Sequence, residues 1–384
     1  MKLKPGLMIY LLGLALVFMH VNVCTAANSW ELKSPMPTAR FFAKAEAIDG
    51  KIYVFGGQSG GSYVTAVEIY DTMNDTWSTG ANMPAAIAAF ATAAVDTKIY
   101  IIGGWPLRST VSVYDTAADT WSTAAPLPIA NRNIRAVNID GLIYIFGGEG
   151  HGGGGTPRYK YVYRYNPISD SWSQLPDMPD ERVAYGMAVL NGKVHIAGGI
   201  SGPYDYQSIR TTTFLRCEDL EAGTYSYLAP LPEARSDLAA EAHGDKFYIM
   251  AGITEPGGVR TYSDETVIYS ANDDSWTHGP SLNYGRWAPA SAIVGNTIYI
   301  IGGRTQGEID LNKHTEQQAG CPCNGHQAAE QFHRGGVRPV QIVEHDHQGL
   351  ARREGQQSLL HGGKILVLQS LGVEHLKAGL RGAF

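Results

Sequence analysis

Charge is scarce in this sequence. Only 17% of its 384 residues are Asp, Glu, Lys or Arg, and the formal net charge is −6. With the N-terminal leader and everything from Lys313 onward set aside, 20 basic residues face 30 acidic ones between Asn28 and Asn312. A nucleic-acid binder needs a basic face, and this acidic body repels phosphate backbones, so no nucleic-acid partner is expected. Cysteine is rarer still, with four residues in all. Removing the leader takes Cys24 and leaves Cys217, Cys321 and Cys323, an odd number that gives no disulfide framework. No Gly-Lys-Ser/Thr follows a glycine pair, which excludes a phosphate-cradling P-loop. No pattern supports serine or cysteine hydrolase chemistry, and no cofactor is expected.

Long apolar runs are also missing, apart from Leu7 to Val23. Lys2 and Lys4 precede it, and the small residues Thr25-Ala26-Ala27 follow, so residues 1–27 read as a secretory signal peptide. Cys24 lacks the preceding small residues of a lipidation site. Cleavage, and hence a secreted or periplasmic product, is expected. Membrane attachment would require the leader to be retained as an anchor.

What the sequence has in abundance is glycine and tyrosine, 45 and 21 residues, with 44% apolar content. That balance favours many strands joined by tight turns. A glycine pair ends five similar apolar runs, at Gly56-Gly57, Gly103-Gly104, Gly147-Gly148, Gly198-Gly199 and Gly302-Gly303, and Ala251-Gly252 ends a sixth. Twenty-six residues before the first member of each pair stands an aromatic: Trp30, Trp77, Trp121, Trp172, Tyr225 and Trp276. Seven residues after the aromatic comes Pro37, Pro84, Pro128, Pro179 or Pro232, with Asn283 as the exception. Three further on are Arg40, Arg182, Arg235 and Arg286, with Ile87 and Asn131 breaking the series. A register held six times defines a repeat protein. Each unit reads as four short antiparallel strands: an alternating stretch, a tight turn, the apolar run into the glycines, a Tyr-Asp strand, and a polar turn into the tryptophan strand.

The glycine pair after an apolar strand, the Tyr-Asp before the tryptophan, and these spacings resemble kelch repeats from about Trp30 to Gly303. The resemblance, closest in kind to exported bacterial-type kelch proteins, implies an all-β, six-bladed β-propeller over residues 28–312. Trp30 would complete the last blade and close the ring, leaving no open sheet edge. "GEIDLN", Gly307 to Asn312, is the stand-in expected for the third strand of blade six. From Lys313 to Phe384 there is no Trp or Tyr, and this tail is expected to be a divergent, irregular extension. "CPCNGH" and "EHDH" supply thiolate and imidazole donors, but Cys-x-Cys is not the usual zinc spacing, and no metal site is expected.

The stretch from glycine pair to next aromatic varies in length, and variable loops on a rigid scaffold are where recognition concentrates. These loops join the second and third strands and emerge on one face. Their candidate ligand-binding residues are Trp105, Arg108, His151, Arg158, Tyr159, Tyr204, Tyr206, Arg210, Arg260, Tyr262 and Arg304. Aromatic surfaces and forked guanidinium donors suit a protein or a glycan partner, and the chain is expected to be a monomeric binding scaffold. The recurrent arginines before the first strands are expected to bond carbonyls of the neighbouring blade. Two enzyme families share the resemblance. Copper sugar oxidases need two histidines, two tyrosines and a cysteine-modified tyrosine, which the lone propeller cysteine Cys217 and scattered histidines do not supply. Exported kelch proteins that interconvert sialic acid anomers need an acid, a base and a carboxylate-holding arginine. The residues open to that role are Glu149 or Glu255 with Arg158 or Arg260.

Overall fold

Tight turns with residues in the left-handed region, such as Asp49-Gly50 and Asp140-Gly141, reverse the chain between the first two strands of a unit. In the computed structural model the described residues are 29–150, 156–202, 209–305, 317–320, 343–345, 357–361 and 364–368. Five four-stranded antiparallel sheets are each built from one consecutive stretch of chain. Blade 1 comprises Lys44–Ile48, Lys51–Phe55, Val67–Asp71 and Thr76–Gly80. Blade 2 comprises Ala91–Val95, Lys98–Ile102, Val111–Asp115 and Thr120–Ala124. Blade 3 comprises Arg135–Ile139, Leu142–Phe146, Val162–Asn166 and Ser171–Leu175. Blade 4 comprises Gly186–Leu190, Lys193–Ala197, Phe214–Asp219 and Thr224–Tyr227. Blade 5 comprises Ala239–His243, Lys246–Met250, Thr266–Ser270 and Ser275–His278. The one helical turn among the described residues is Pro256–Gly258.

The expected six equivalent blades are therefore five. The remaining four-stranded sheet is composite: the hairpin Ala290–Val294 and Thr297–Ile301, then Gln317–Gly320, then Trp30–Lys33 at the edge. No Tyr-Asp strand and tryptophan follow Gly303, so the outer half of this sheet comes from elsewhere in the chain. Gln317–Gly320 takes the third-strand place, whereas Gly307 to Asn312 lies outside the described residues. First strands pack side by side from blade 1 through blade 5, on to Ala290–Val294 and back to blade 1. Core clusters straddle these seams: Ile52, Val54 and Tyr70 meet Ala290, Tyr299 and Ile301, and Trp30 meets Tyr248, Met250 and Ile300.

The aromatic of each repeat acts as a clamp between sheets. Trp121 Nε1 donates to Ala81 O of the preceding unit at 2.9 Å, while its ring lies 5.0 Å from Tyr114. Tyr114 OH donates to Asp119 Oδ1 at 2.5 Å, and the same oxygen accepts the Ala81 N–H at 2.6 Å. Tyr70–Asp75–Trp77, Tyr165–Asp170–Trp172 and Tyr269–Asp274–Trp276 repeat the device. Blade 4 places the free, buried Cys217 where the tyrosine would be, opposite Tyr225. Residues 326–384 form a separate unit, whose described strands Val343–His345, Lys364–Leu368 and Gln357–His361 make one antiparallel sheet in that order.

Candidate functional site

Lys44 pairs with Phe55 across the first hairpin, so the segment entering a first strand and the loop leaving the second lie at the same end of the sheet. The pairing continues beyond the strands at equivalent positions, Phe41 with Gln58, Ala88 with Trp105, Arg132 with Glu149, Val183 with Ile200, Ser236 with Ile253, and Trp287 with Arg304. This end is the loop face.

The recurrent arginines are not ligand groups, and they do not reach across to the neighbouring blade as expected. They are fully buried and bond carbonyls of their own sheet. Arg40 Nη1 donates to Gly56 O (3.1 Å) and Ala66 O (2.9 Å), and Nη2 to Glu68 Oε2 (2.6 Å). Arg182, Arg235 and Arg286 reach Gly198 O, Ala251 O and Gly302 O, and Asn131 Nδ2 serves Gly147 O in the same way. The link between sheets is made by backbone instead. The N–H of each second glycine donates to the carbonyl at the arginine position of the next unit, from Gly57 to Ile87 (2.8 Å) round to Gly303 to Arg40 (3.0 Å). At Gly57, φ is +94° and a Cβ would sit 2.8 Å from Phe41 O, so only glycine fits. The first member adopts φ near +60°, which Ala251 tolerates.

Two residues past the arginine position, six non-glycine residues all take positive φ: Phe42, Ala89, Asn133, Ala184, Asp237 and Ala288. They form a collar around the axis. Ala89 N–H donates to Phe42 O, Asn133 to Ala89, Asp237 to Ala184, Ala288 to Asp237 and Phe42 to Ala288. At the seam where that bond is missing, Arg135 Nε donates to Tyr185 O at 2.9 Å. The collar nearly closes the central channel, leaving about 10 Å³ at the loop face.

Around the collar the loop residues fall into separate groups. Trp105 is covered by the Arg132 guanidinium, 4.2 Å from its ring centroid. Arg132 also pairs with the buried Glu149 at 3.0 Å, and Asn133 Nδ2 donates to the same carboxylate at 2.7 Å. Arg158, bridged by backbone to Glu149, donates to Ser201 O (3.2 Å) and Gly202 O (2.6 Å). Tyr159 stacks on Tyr161 at 5.1 Å, and Arg108 Nε donates to Pro106 O within its own loop. On the blade 4 and 5 loops, Glu255 stands between Arg210 (2.5 Å) and Arg260 (3.5 Å), and Arg210 also donates to Ser236 Oγ. The acid and base candidates thus stand as two groups, Glu149 bridged to Arg158 through backbone and Glu255 paired with Arg260 through side chains. His151, Tyr204 and Tyr206 lie outside the described residues.

A group that the loop residues do not announce is aromatic. Phe41, Phe42 and Trp287 pack with centroids 5.1–5.3 Å apart, and Tyr262 joins Trp287 at 5.9 Å. All four are half-buried, and the exposed Arg304 pairs with Trp287 at the edge. The signal was available in the register, since Phe41 and Trp287 both follow a recurrent arginine. Gly57-Gln58-Ser59-Gly60-Gly61 has the Gly-x-Ser-x-Gly spacing of a nucleophile elbow. That elbow needs a strand-to-helix turn, and here Ser59 lies in the two-residue ribbon Gln58–Ser59 and Ser62–Tyr63.

Below the collar the channel widens from about 100 Å³ to about 360 Å³ toward the hairpin end. Alanine is the commonest residue of its wall, with Lys44, Glu46, Thr92, Arg135, Asn138, Glu241 and Ser291 as the polar members. Burial raises Glu46 and Glu241 to about 7, against partial relief from Thr92 and Ser291 respectively. Burial also holds Lys44 well below the usual ammonium range, reinforced by the Arg135 charge. Asp237 is raised by burial, opposed first by Arg135.

Comparison with known proteins agrees with this construction. A family model described as "Kelch motif" matches residues 39–84, 87–128 and 130–179. A kelch-like protein, terF, of Aspergillus terreus (strain NIH 2624 / FGSC A1156) is 29% identical over 147 residues, 36% of this chain and 31% of the fungal protein. A kelch repeat and BTB domain-containing protein 1 of cowpox virus (strain Brighton Red) is 26% identical over 167 residues, 43% of this chain and 28% of the viral one. The matches thus span less than a third of those relatives. Among solved structures, that of YjhT superposes with a TM-score of 0.62 at 16% identity, covering 74% of this chain and 95% of its own, a likeness of fold. The repeat register, the blade construction and these matches agree: the chain folds as a β-propeller and carries kelch motifs over residues 39–179.

Proposed function

We propose that the protein is an exported binding scaffold, a propeller closed at six sheets by the Trp30 strand, whose loop face receives a protein or glycan partner. The observation that carries this reading is the half-buried aromatic group Phe41, Phe42, Trp287 and Tyr262, edged by Arg304. Aromatic and arginine side chains clustered on a rigid surface are the usual anchors of recognition. The acids of the same face are already engaged by arginines, Glu149 by Arg132 and Glu255 by Arg210 and Arg260. The collar separates the loop face from the channel below, leaving about 10 Å³ between its residues.

The alternative, a sialic acid mutarotase, draws its support from one place. Glu255 between two arginines combines a proton-transfer group with donors for a carboxylate. The next acid, Asp237, is reached from Arg210 only through Ser236 Oγ, and it belongs to the collar rather than to the loops, which is why binding is preferred.

The test is a screen of the purified full-length chain on immobilised glycans and candidate proteins, repeated with Trp287→Ala, Phe41→Ala and Met73→Ala. Met73 is 91% exposed on a turn between the third and fourth strands, at the far end from the loops. Binding through the loop face predicts a loss of about tenfold or more for the first two variants and no change for the third. Equal binding by all three would contradict the assignment.

A further inference from the structure

The register places channel residues in layers. Counting from the glycine pairs, Lys44, Ala91, Arg135, Gly186, Ala239 and Ala290 occupy one level immediately below the collar. Two residues further along the strands, Glu46, Ala93, Val137, Ala188, Glu241 and Ala292 occupy the next level. The two cations therefore share the narrow end of a blind channel, on either side of the small Ala91, and the two acids share the level below. The space at the cation level, about 100 Å³, is lined by Lys44, Arg135, Ala91, Thr92 and Pro289, with Glu46 and Glu241 also bordering it. The wider part beyond gives access from the hairpin end.

Neither Lys44 nor Arg135 forms an ion pair with a carboxylate among the described residues, although both face the channel. Arg135 commits Nε to Tyr185 O, and its terminal nitrogens have no carboxylate within pairing distance among those residues. The two like charges repel each other and are poorly solvated, and Asp237 of the collar, with Glu46 beside Lys44, offsets this only in part without pairing to either cation. A small anion between them removes both costs, and a planar carboxylate matches the guanidinium fork. We propose that the narrow end of the channel is a binding site for a small carboxylate, held between Lys44 and Arg135 and entered from the face opposite the binding loops.

The surrounding charges give this site a pH dependence. The titratable and polar groups facing it are Lys44 and Glu46 from blade 1, Thr92 from blade 2, Asn133, Arg135 and Asn138 from blade 3, Asp237 and Glu241 from blade 5, and Ser291 from the composite sheet. Glu46 and Glu241 titrate at about 7. Below that pH both are neutral and the cation level attracts anions. Above it two negative charges lie one level away and oppose binding. Carboxylate binding therefore strengthens as pH falls and is accompanied by proton uptake.

The experiment is a titration of the full-length protein with ¹³C-acetate followed by NMR, at about pH 5.5 and about pH 8. Saturable binding at the lower pH, weakened roughly tenfold at the higher one, is expected. Lys44→Met lowers the affinity at least about tenfold while Lys44→Arg retains it, and Glu241→Gln narrows the difference between the two pH values. Circular dichroism melts confirm that each variant is folded. Lys44→Arg and Glu241→Gln keep the test decisive if Lys44→Met does not fold. Absence of saturable acetate binding by the wild-type protein at the lower pH, or pH-independent binding, would overturn the proposal.

Discussion

Replacing Glu68 by alanine tests whether the recurrent arginines are structural. The Glu68 carboxylate accepts from Arg40 Nη2 at 2.6 Å, from Thr38 Oγ1 at 2.6 Å and from Thr38 N–H at 3.4 Å. Both charged side chains are sealed, with 0% and 3% exposure. Deleting the acid leaves a guanidinium buried without its counter-ion, a change that costs about 3–5 kcal/mol. For a chain of this size that is a fall in Tm of about 10 °C. Blade 4 supplies an internal control. Arg182 pairs with Asp180 at 2.9 Å, but Asp180 is 36% exposed, so solvent replaces most of the lost interaction. Asp180→Ala is expected to cost about 1 kcal/mol or less. Blade 2 lacks the pair altogether, with Ile87 and Ser112 at the matching positions. The double variant Arg40→Met/Glu68→Leu should accordingly recover most of the stability lost in Glu68→Ala. Chemical denaturation followed by circular dichroism and tryptophan fluorescence measures all three against the wild type. A cost for Glu68→Ala below about 1 kcal/mol, or equal to that of Asp180→Ala, would refute the reasoning.

Three further outcomes follow from the same geometry. Ala184 sits in the collar at φ +57°, so Ala184→Gly should be neutral or stabilise by up to about 1 kcal/mol, whereas Gly57→Ala forces a Cβ onto Phe41 O and should cost more than about 2 kcal/mol; thermal melts compare them. The Ala81 N–H and the Tyr114 hydroxyl hold Asp119 below the usual carboxylate range, so its contribution is present above the unfolded pKa near 3.8 and lost as pH falls through the lower folded value. Tyr114→Phe should therefore show a shallower loss of Tm on acidification. Glu241 has the opposite sign: raised to about 7, it costs stability as pH rises from its unfolded value through 7. Glu241→Gln should match the wild type near pH 4.5 and exceed it by about 1–3 kcal/mol near pH 8, read from denaturation at both pH values.

The blade core was legible because it is written in spacing. A glycine pair and an aromatic 26 residues apart fix where strands end and where neighbouring sheets clamp, and Trp77, Trp121, Trp172 and Trp276 all do the same work. The composite sheet was harder to foresee, because Gln317–Gly320 carries none of the repeat's markers and is placed by pairing with distant strands alone. The arginine role was read in kind but not in direction. Spacing along the chain does not say whether a long side chain turns to its own sheet or the next, and here the glycine N–H had already taken the inter-sheet carbonyl. The functional surface was legible only in part. Loop length pointed to the face proposed here for binding, but Phe41, Phe42 and Trp287 lie in the fixed-length segments and looked like strand entry. Lys44, Glu46, Arg135 and Glu241 stand out only when the first strands are stacked in register and charge appears in columns otherwise filled by small apolar residues.

The most direct test of the binding assignment is a ¹H NMR measurement of sialic acid anomer equilibration with and without the purified full-length protein. A binding scaffold leaves the rate equal to that of buffer alone at every protein concentration. Acceleration proportional to protein concentration, and abolished by Glu255→Gln, would contradict the assignment and make the loop face an active site.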